Sequence, residues 1–133
     1  MFGWNEETKP GFVYESSTAF RLPNGAVRNP DVAWLTAERR NAFTPEQRKK
    51  FLPLSPDFLV ELASETDSQK DTEEKMAEYM ANGCRLGWLI NPKTQTAKVY
   101  RENGSIDVIP NFDGSLSGED VLPGFVLSLT LFK

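Results

Sequence analysis

Apolar and polar positions along the chain fall into several short β-like runs and two helical stretches. Residues 11–22 have β character, carried by Phe12, Val13, Tyr14, Phe20 and Leu22. Pro23-Asn24-Gly25 follows. Asn-Gly between β-like runs marks a hairpin turn because both residues accept positive φ, so residues 26–28 begin a return strand. Asn29-Pro30 punctuates, and residues 31–35 (DVAWL) read as a short strand with Asp31, Ala33 and Leu35 on one face and Val32 and Trp34 on the other. Residues 36–43 are compatible with a helical turn. Thr44-Pro45-Glu46-Gln47 opens a short helix, with Thr44 as N-cap, Pro45 at the first turn and Gln47 at the third helical position. Pro53 and Pro56 limit its length.

Residues 57–64 (DFLVELAS) form the clearest strand, an apolar run suited to burial on both faces and interrupted by Glu61. A polar turn leads into a helix over about residues 70–81, where Met76, Tyr79 and Met80 share one apolar face, and Asn82-Gly83 caps it. Residues 85–91 form another strand closed by Pro92. Residues 96–102 alternate, Asn103-Gly104 turns the chain, and residues 105–110 supply the partner strand. Residues 111–120 read as a Gly, Ser and Asp loop, and residues 124–132 as a strand or strand-like cap. The order of strands, helix and strands predicts an α+β fold with a mixed sheet. A length of 133 residues suits one domain, placed at residues 11–133, with a polar, disordered or extended segment at residues 1–10.

Composition narrows the chemistry. The chain has no His, which excludes Ser-His-Asp triads, Cys-His pairs and HExxH zinc sites. Its one cysteine, Cys84, excludes an internal disulfide and a cysteine-cluster zinc site. A protein-bound metal would need oxygen ligands, which points to Mg²⁺ or Mn²⁺. The net charge of −4 opposes strong unaided nucleic-acid binding. The N-terminus lacks the pattern of a signal peptide and no apolar run approaches the length of a membrane span, so a cytoplasmic protein without a membrane association is expected.

Three residues are candidates for chemistry. A carboxylate inside an apolar strand is costly unless it is paired or bound to metal. Glu61 is therefore either a functional group or a structural one satisfied by an amide or a cation. Asp31 opens its strand after Pro30, where an aspartate also serves to cap a turn. Lys75 borders the apolar face of the long helix. It either pairs in solvent with Asp71 one turn before it or reaches over the helix edge to Glu61. Asp57 shares a face with Glu61, but four residues of strand separate them by about 13 Å, too far for one metal, so it reads as a strand-end residue.

The stretches GAVRNPDVAWL and SPDFLVELASETDSQKDTEEKMAEYMANGCRLGWLINP resemble the Uma family of putative restriction endonucleases, within the PD-(D/E)xK nuclease superfamily. The resemblance extends from about Gly11 to Phe132. It implies a restriction endonuclease-like fold and hydrolysis of DNA phosphodiester bonds with Mg²⁺ or Mn²⁺ and no small-molecule cofactor. Asp31 matches the aspartate of the PD half-motif and Glu61 the acidic residue of the second half. The position two beyond Glu61 is Ala63, and Lys75 in the following helix matches the lysine. The resemblance assigns Asp31, Glu61 and Lys75 as catalytic, with Asp31 and Glu61 holding the metal, joined by the Leu62 carbonyl and waters. Relatives carry an N-terminal helical region before the first strand, and this chain starts almost at that strand. A sheet face left uncovered by its loss, together with an open edge, would favour a homodimer or larger oligomer. The alternative reading is an inactive nuclease-fold protein serving as an interaction or dimerisation module.

Overall fold

A computed structural model describes residues 11–49, 51–64 and 66–133. Residues 1–10, expected to be disordered or extended, lie outside the described residues. The strands are β1 (Gly11–Glu15), β2 (Ala19–Arg21), β3 (Val27–Arg28), β4 (Val32–Thr36), β5 (Phe51–Leu52), β6 (Phe58–Leu62), β7 (Leu86–Asn91), β8 (Thr96–Arg101), β9 (Ile106–Ile109), β10 (Ser115–Ser117) and β11 (Val126–Ser128). The α-helices are α1 (Ala37–Asn41), α2 (Pro45–Lys49) and α3 (Gln69–Ala81), and a 3-10 turn at Leu129–Phe132 follows β11. No helix among the described residues is long and apolar enough to cross a membrane.

Six strands form the main sheet in the order β1-β4-β6-β7-β8-β9. Only β6 and β7 run parallel within it, and α3 is the crossover between them. This is the mixed-sheet α+β fold that the sequence predicts. The run Phe58–Leu62 is apolar on both sides because both sides are covered. Phe58 and Val60 join a core with Trp34, Trp88 and Val99 on one face. Leu59 joins Ala33, Leu35, Met76 and Tyr79 on the other, beneath α3 and the small β3-β2-β5 sheet. The predicted split of residues 31–35 between two faces is thus the split between the two cores.

Local signals hold where they are short-range. Gly25 has φ +90° in the β2–β3 turn, and Gly83 has φ +109° just beyond α3. Thr44 and Gln47 bond reciprocally at the start of α2, Thr44 Oγ1 accepting from the Gln47 N–H and Gln47 Oε1 from the Thr44 N–H. Ser68 Oγ accepts from the Asp71 N–H and opens α3 one residue earlier than the periodicity suggests. Asp57 is a strand-end residue as read, and it is buried. Its carboxylate accepts from the Arg39 guanidinium at 2.6 Å and the Thr36 N–H at 3.0 Å, with Arg85 at 3.7 Å. It fixes the end of β4 against the start of β6.

One expectation needs correction. Residues 111–120 are more than a loop, since β10 pairs antiparallel with β11. This C-terminal segment inserts Phe112, Leu116, Leu122, Phe125 and Leu129 onto the sheet face carrying Trp88. The sheet face carrying Trp88 is thus covered by the chain's own C-terminal segment, while Ile106 and Val108 of β9 are exposed. Among the described residues, β1 and β9 are the edge strands of the main sheet.

Candidate active site

Antiparallel pairing sets Val32 opposite Val60 and Ala33 opposite Leu59. One further step along the same register brings Asp31 opposite Glu61, on the sheet face that α3 covers. The approach is locked by a hydrogen bond: the Leu62 N–H donates to Asp31 Oδ2 at 2.7 Å. Asp31 and Glu61 therefore sit side by side at the ends of two adjacent strands.

From above, α3 adds two groups. Lys75 and Tyr79 are one helical turn apart and so project from one stripe of the helix. Lys75 Nζ lies 3.7 Å from Glu61 Oε2. The Tyr79 hydroxyl donates to Glu61 Oε1 at 3.0 Å. Of the two sequence readings of Lys75, the inward reach to Glu61 is the geometry observed. Tyr79 stands out in sequence only as part of the apolar face. Its spacing of four from Lys75 was the available signal for its place at the site. Arg28 of β3 is held nearby by Glu78 at 2.7 Å, which docks the β2–β3 hairpin on α3.

Burial dominates the electrostatics. Glu61 is only 8% exposed, and desolvation pushes its carboxyl up to about 7. Lys75 and the Tyr79 hydrogen bond pull it down, while Asp31 raises it further. Burial and the adjacent Glu61 also push the Tyr79 phenol well above its ordinary range, so it remains a donor. Glu61 is thus a carboxylate in want of positive charge, opposite a second carboxylate. No group of three His, Cys, Asp or Glu side chains converges among the described residues. A cation here would have two carboxylates as its protein side-chain ligands, with backbone carbonyl or water completing the shell.

Comparison with known proteins agrees with this architecture. No curated protein matches the chain. Among solved structures, a "putative nuclease belonging to DUF820" from Anabaena variabilis ATCC 29413, determined at 1.96 Å, superposes with a TM-score of 0.79. The match has 19% sequence identity and covers 98% of this chain and 72% of the other. At that identity it shows the fold alone. The profile of the Uma2 family, described as "Putative restriction endonuclease", matches residues 1–130. The chain belongs to the Uma2 family of restriction-endonuclease-like proteins.

Proposed function

We propose that this protein is a metal-dependent endonuclease that hydrolyses DNA phosphodiester bonds, with Asp31, Glu61 and Lys75 as its catalytic residues. One observation carries the reading: a buried, under-neutralised Glu61 stands across the sheet register from Asp31 with Lys75 at 3.7 Å. A carboxylate so placed fits a divalent cation. The donor set is oxygen alone, and Mg²⁺ characteristically takes one or two carboxylates and keeps several waters. Asp31 and Glu61 would hold Mg²⁺ or Mn²⁺, with the Leu62 carbonyl and waters completing the shell. When bound, such an ion polarises the phosphodiester and lowers the pKa of a water.

The protein's own groups have separable tasks. The Leu62 N–H fixes the Asp31 carboxylate. Tyr79 holds Oε1 of Glu61, and Lys75 faces Oε2. Lys75 orients the attacking water or offsets negative charge developing on the phosphoryl oxygens.

The test is nicking of supercoiled plasmid at low ionic strength, where an acidic chain engages DNA best. Cleavage is expected with Mg²⁺ or Mn²⁺ and not with Ca²⁺ alone. Glu61→Ala should abolish it, and Lys75→Ala should slow it by about 10²- to 10³-fold. Equal cleavage by wild type and Glu61→Ala would identify a contaminating nuclease and defeat the proposal.

A further inference from the structure

The sheet face that carries Asp31 and Glu61 continues as a straight row. Glu61 is opposite Leu89, Leu89 opposite Lys98, and Lys98 opposite Val108. Two strand spacings put Lys98 about 10 Å from Glu61 across the sheet. Over the far end of the row lies a cleft of about 300 Å³, between the first turns of α3 and strands β8 and β9. None of Asp31, Glu61, Lys75 or Tyr79 lines it. The cleft sits beyond the carboxyl ends of the parallel strands β6 and β7, beside their crossover helix.

The lining has two characters. Leu89 and Val108 supply apolar surface, while Asn91, Thr94 and Thr96 supply amide and hydroxyl groups. Thr94 and Thr96 hydroxyls share a hydrogen bond of 2.7 Å, and Asn91 Oδ1 is anchored by the Lys93 N–H. The polar groups are thus fixed in place. The lining contains one carboxylate, Glu73, and one ammonium, Lys98, and these pair with each other. Gln69 donates to the same Glu73 oxygen at 3.1 Å. The paired charges cancel, so the cleft offers little to a phosphate. It suits a neutral, flat ring with hydrogen-bonding edges, and bases are read by apolar contact on their faces and hydrogen bonds at their edges.

We propose that this cleft is a base subsite, receiving one nucleobase of the strand whose phosphate lies at Asp31 and Glu61. This inference rests on the nuclease reading and adds to it a determinant of substrate choice. One side of the base lies along the row Leu89, Lys98 and Val108, over the apolar stem of the lysine, and Thr96 with Asn91 reads its edge.

Fluorescence anisotropy tests it. The probes are a fluorescein-labelled single-stranded octadeoxynucleotide and a series carrying one abasic position each, with Ca²⁺ in place of Mg²⁺. Plasmid nicking with Mn²⁺ is measured in parallel. In the wild type, one abasic position should weaken binding roughly tenfold, the scale of a lost base contact. Val108→Trp places bulk at the cleft from an edge-strand position that is 61% exposed, and strands accept Trp readily. It should lower affinity for the intact probe to the abasic level and flatten the series. Thr96→Val, which deletes one hydroxyl at constant shape, should alter base preference while leaving overall affinity within a few fold. A flat series in the wild type, or one unchanged by Val108→Trp, would overturn the subsite. If nicking persists alongside that result, the nuclease reading stands and only the subsite falls. Absence of both binding and nicking would remove both.

Discussion

Replacing Glu61 by Gln should stabilise the metal-free protein at neutral and alkaline pH and change it little in acid. Burial raises the Glu61 carboxyl from its ordinary 4.5 to about 7, whereas in the unfolded chain it titrates near the ordinary value. Between those two pH values the native state holds a proton that the unfolded state has released. Stability must therefore fall as pH rises through this window and level off above it. The span from 4.5 to about 7 corresponds to a loss on the order of 3 kcal/mol. Glutamine keeps the shape and an acceptor for the Tyr79 hydroxyl but cannot ionise, so the variant lacks this loss. Glu73 and Glu78 have carboxyls held below their ordinary value by Lys98 and Arg28. Their contribution has the opposite sign, and both proteins share it. The assay is urea denaturation of each protein in a chelator, from about pH 4 to about pH 8, read as the difference between them. The gap should open in favour of Glu61→Gln as pH rises, and saturating Mg²⁺ should close it by neutralising the wild-type carboxylate. Parallel pH profiles, or a gap opening the other way, would refute the reasoning.

Tyr79→Phe removes the hydroxyl that bonds Glu61. It should cost about 1.5–3 kcal/mol at about pH 8, the scale of a hydrogen bond to a charged group, and less at about pH 5, where Glu61 is protonated; chemical denaturation at the two pH values measures the difference. Asp57→Asn weakens a buried acceptor of Arg39 and the Thr36 N–H and should cost about 2 kcal/mol, seen as a lower denaturation midpoint with an unchanged slope. A Cβ at Gly87 would lie 2.8 Å from Met76 Cε and 3.5 Å from Met80 Sδ, so the added methyls of Gly87→Val should force both methionine tips to repack under α3 and cost about 1–3 kcal/mol. Because Lys75 precedes Met76, the same variant should also slow plasmid nicking.

What the sequence discloses follows the range of the physics involved. Residues 57–64 are legible as a strand because cover on both faces leaves a short unbroken apolar run, and residues 31–35 because their side chains divide between two cores. Asp31 and Glu61 stand out because carboxylates in apolar strands need a reason. The approach of Lys75 to Glu61 is foreseeable because only a short turn joins β6 to α3. Tyr79 is different: a tyrosine three residues beyond Met76 packs as core, and the partner of its hydroxyl is chosen by where α3 settles on the sheet. The C-terminal cover is hidden for another reason. Phe112, Leu116 and Leu122 are single anchors separated by Gly, Ser and Asp, with neither a helical nor a strand period. Their shared burial against Trp88 depends on the path of the segment across the sheet. For the same reason the two-residue β5, which pairs parallel with β2, carries no pattern of its own.

A divalent-cation site formed by Asp31 and Glu61 beside Lys75 is tested most directly by calorimetric titration with Mn²⁺, which does not require turnover. About one Mn²⁺ per chain is expected, weakened in Asp31→Asn, lost in Glu61→Gln and retained in Lys75→Met, since carboxylates ligate the ion and an ammonium does not. Mn²⁺ binding by Glu61→Gln as tight as that of the wild type would contradict it.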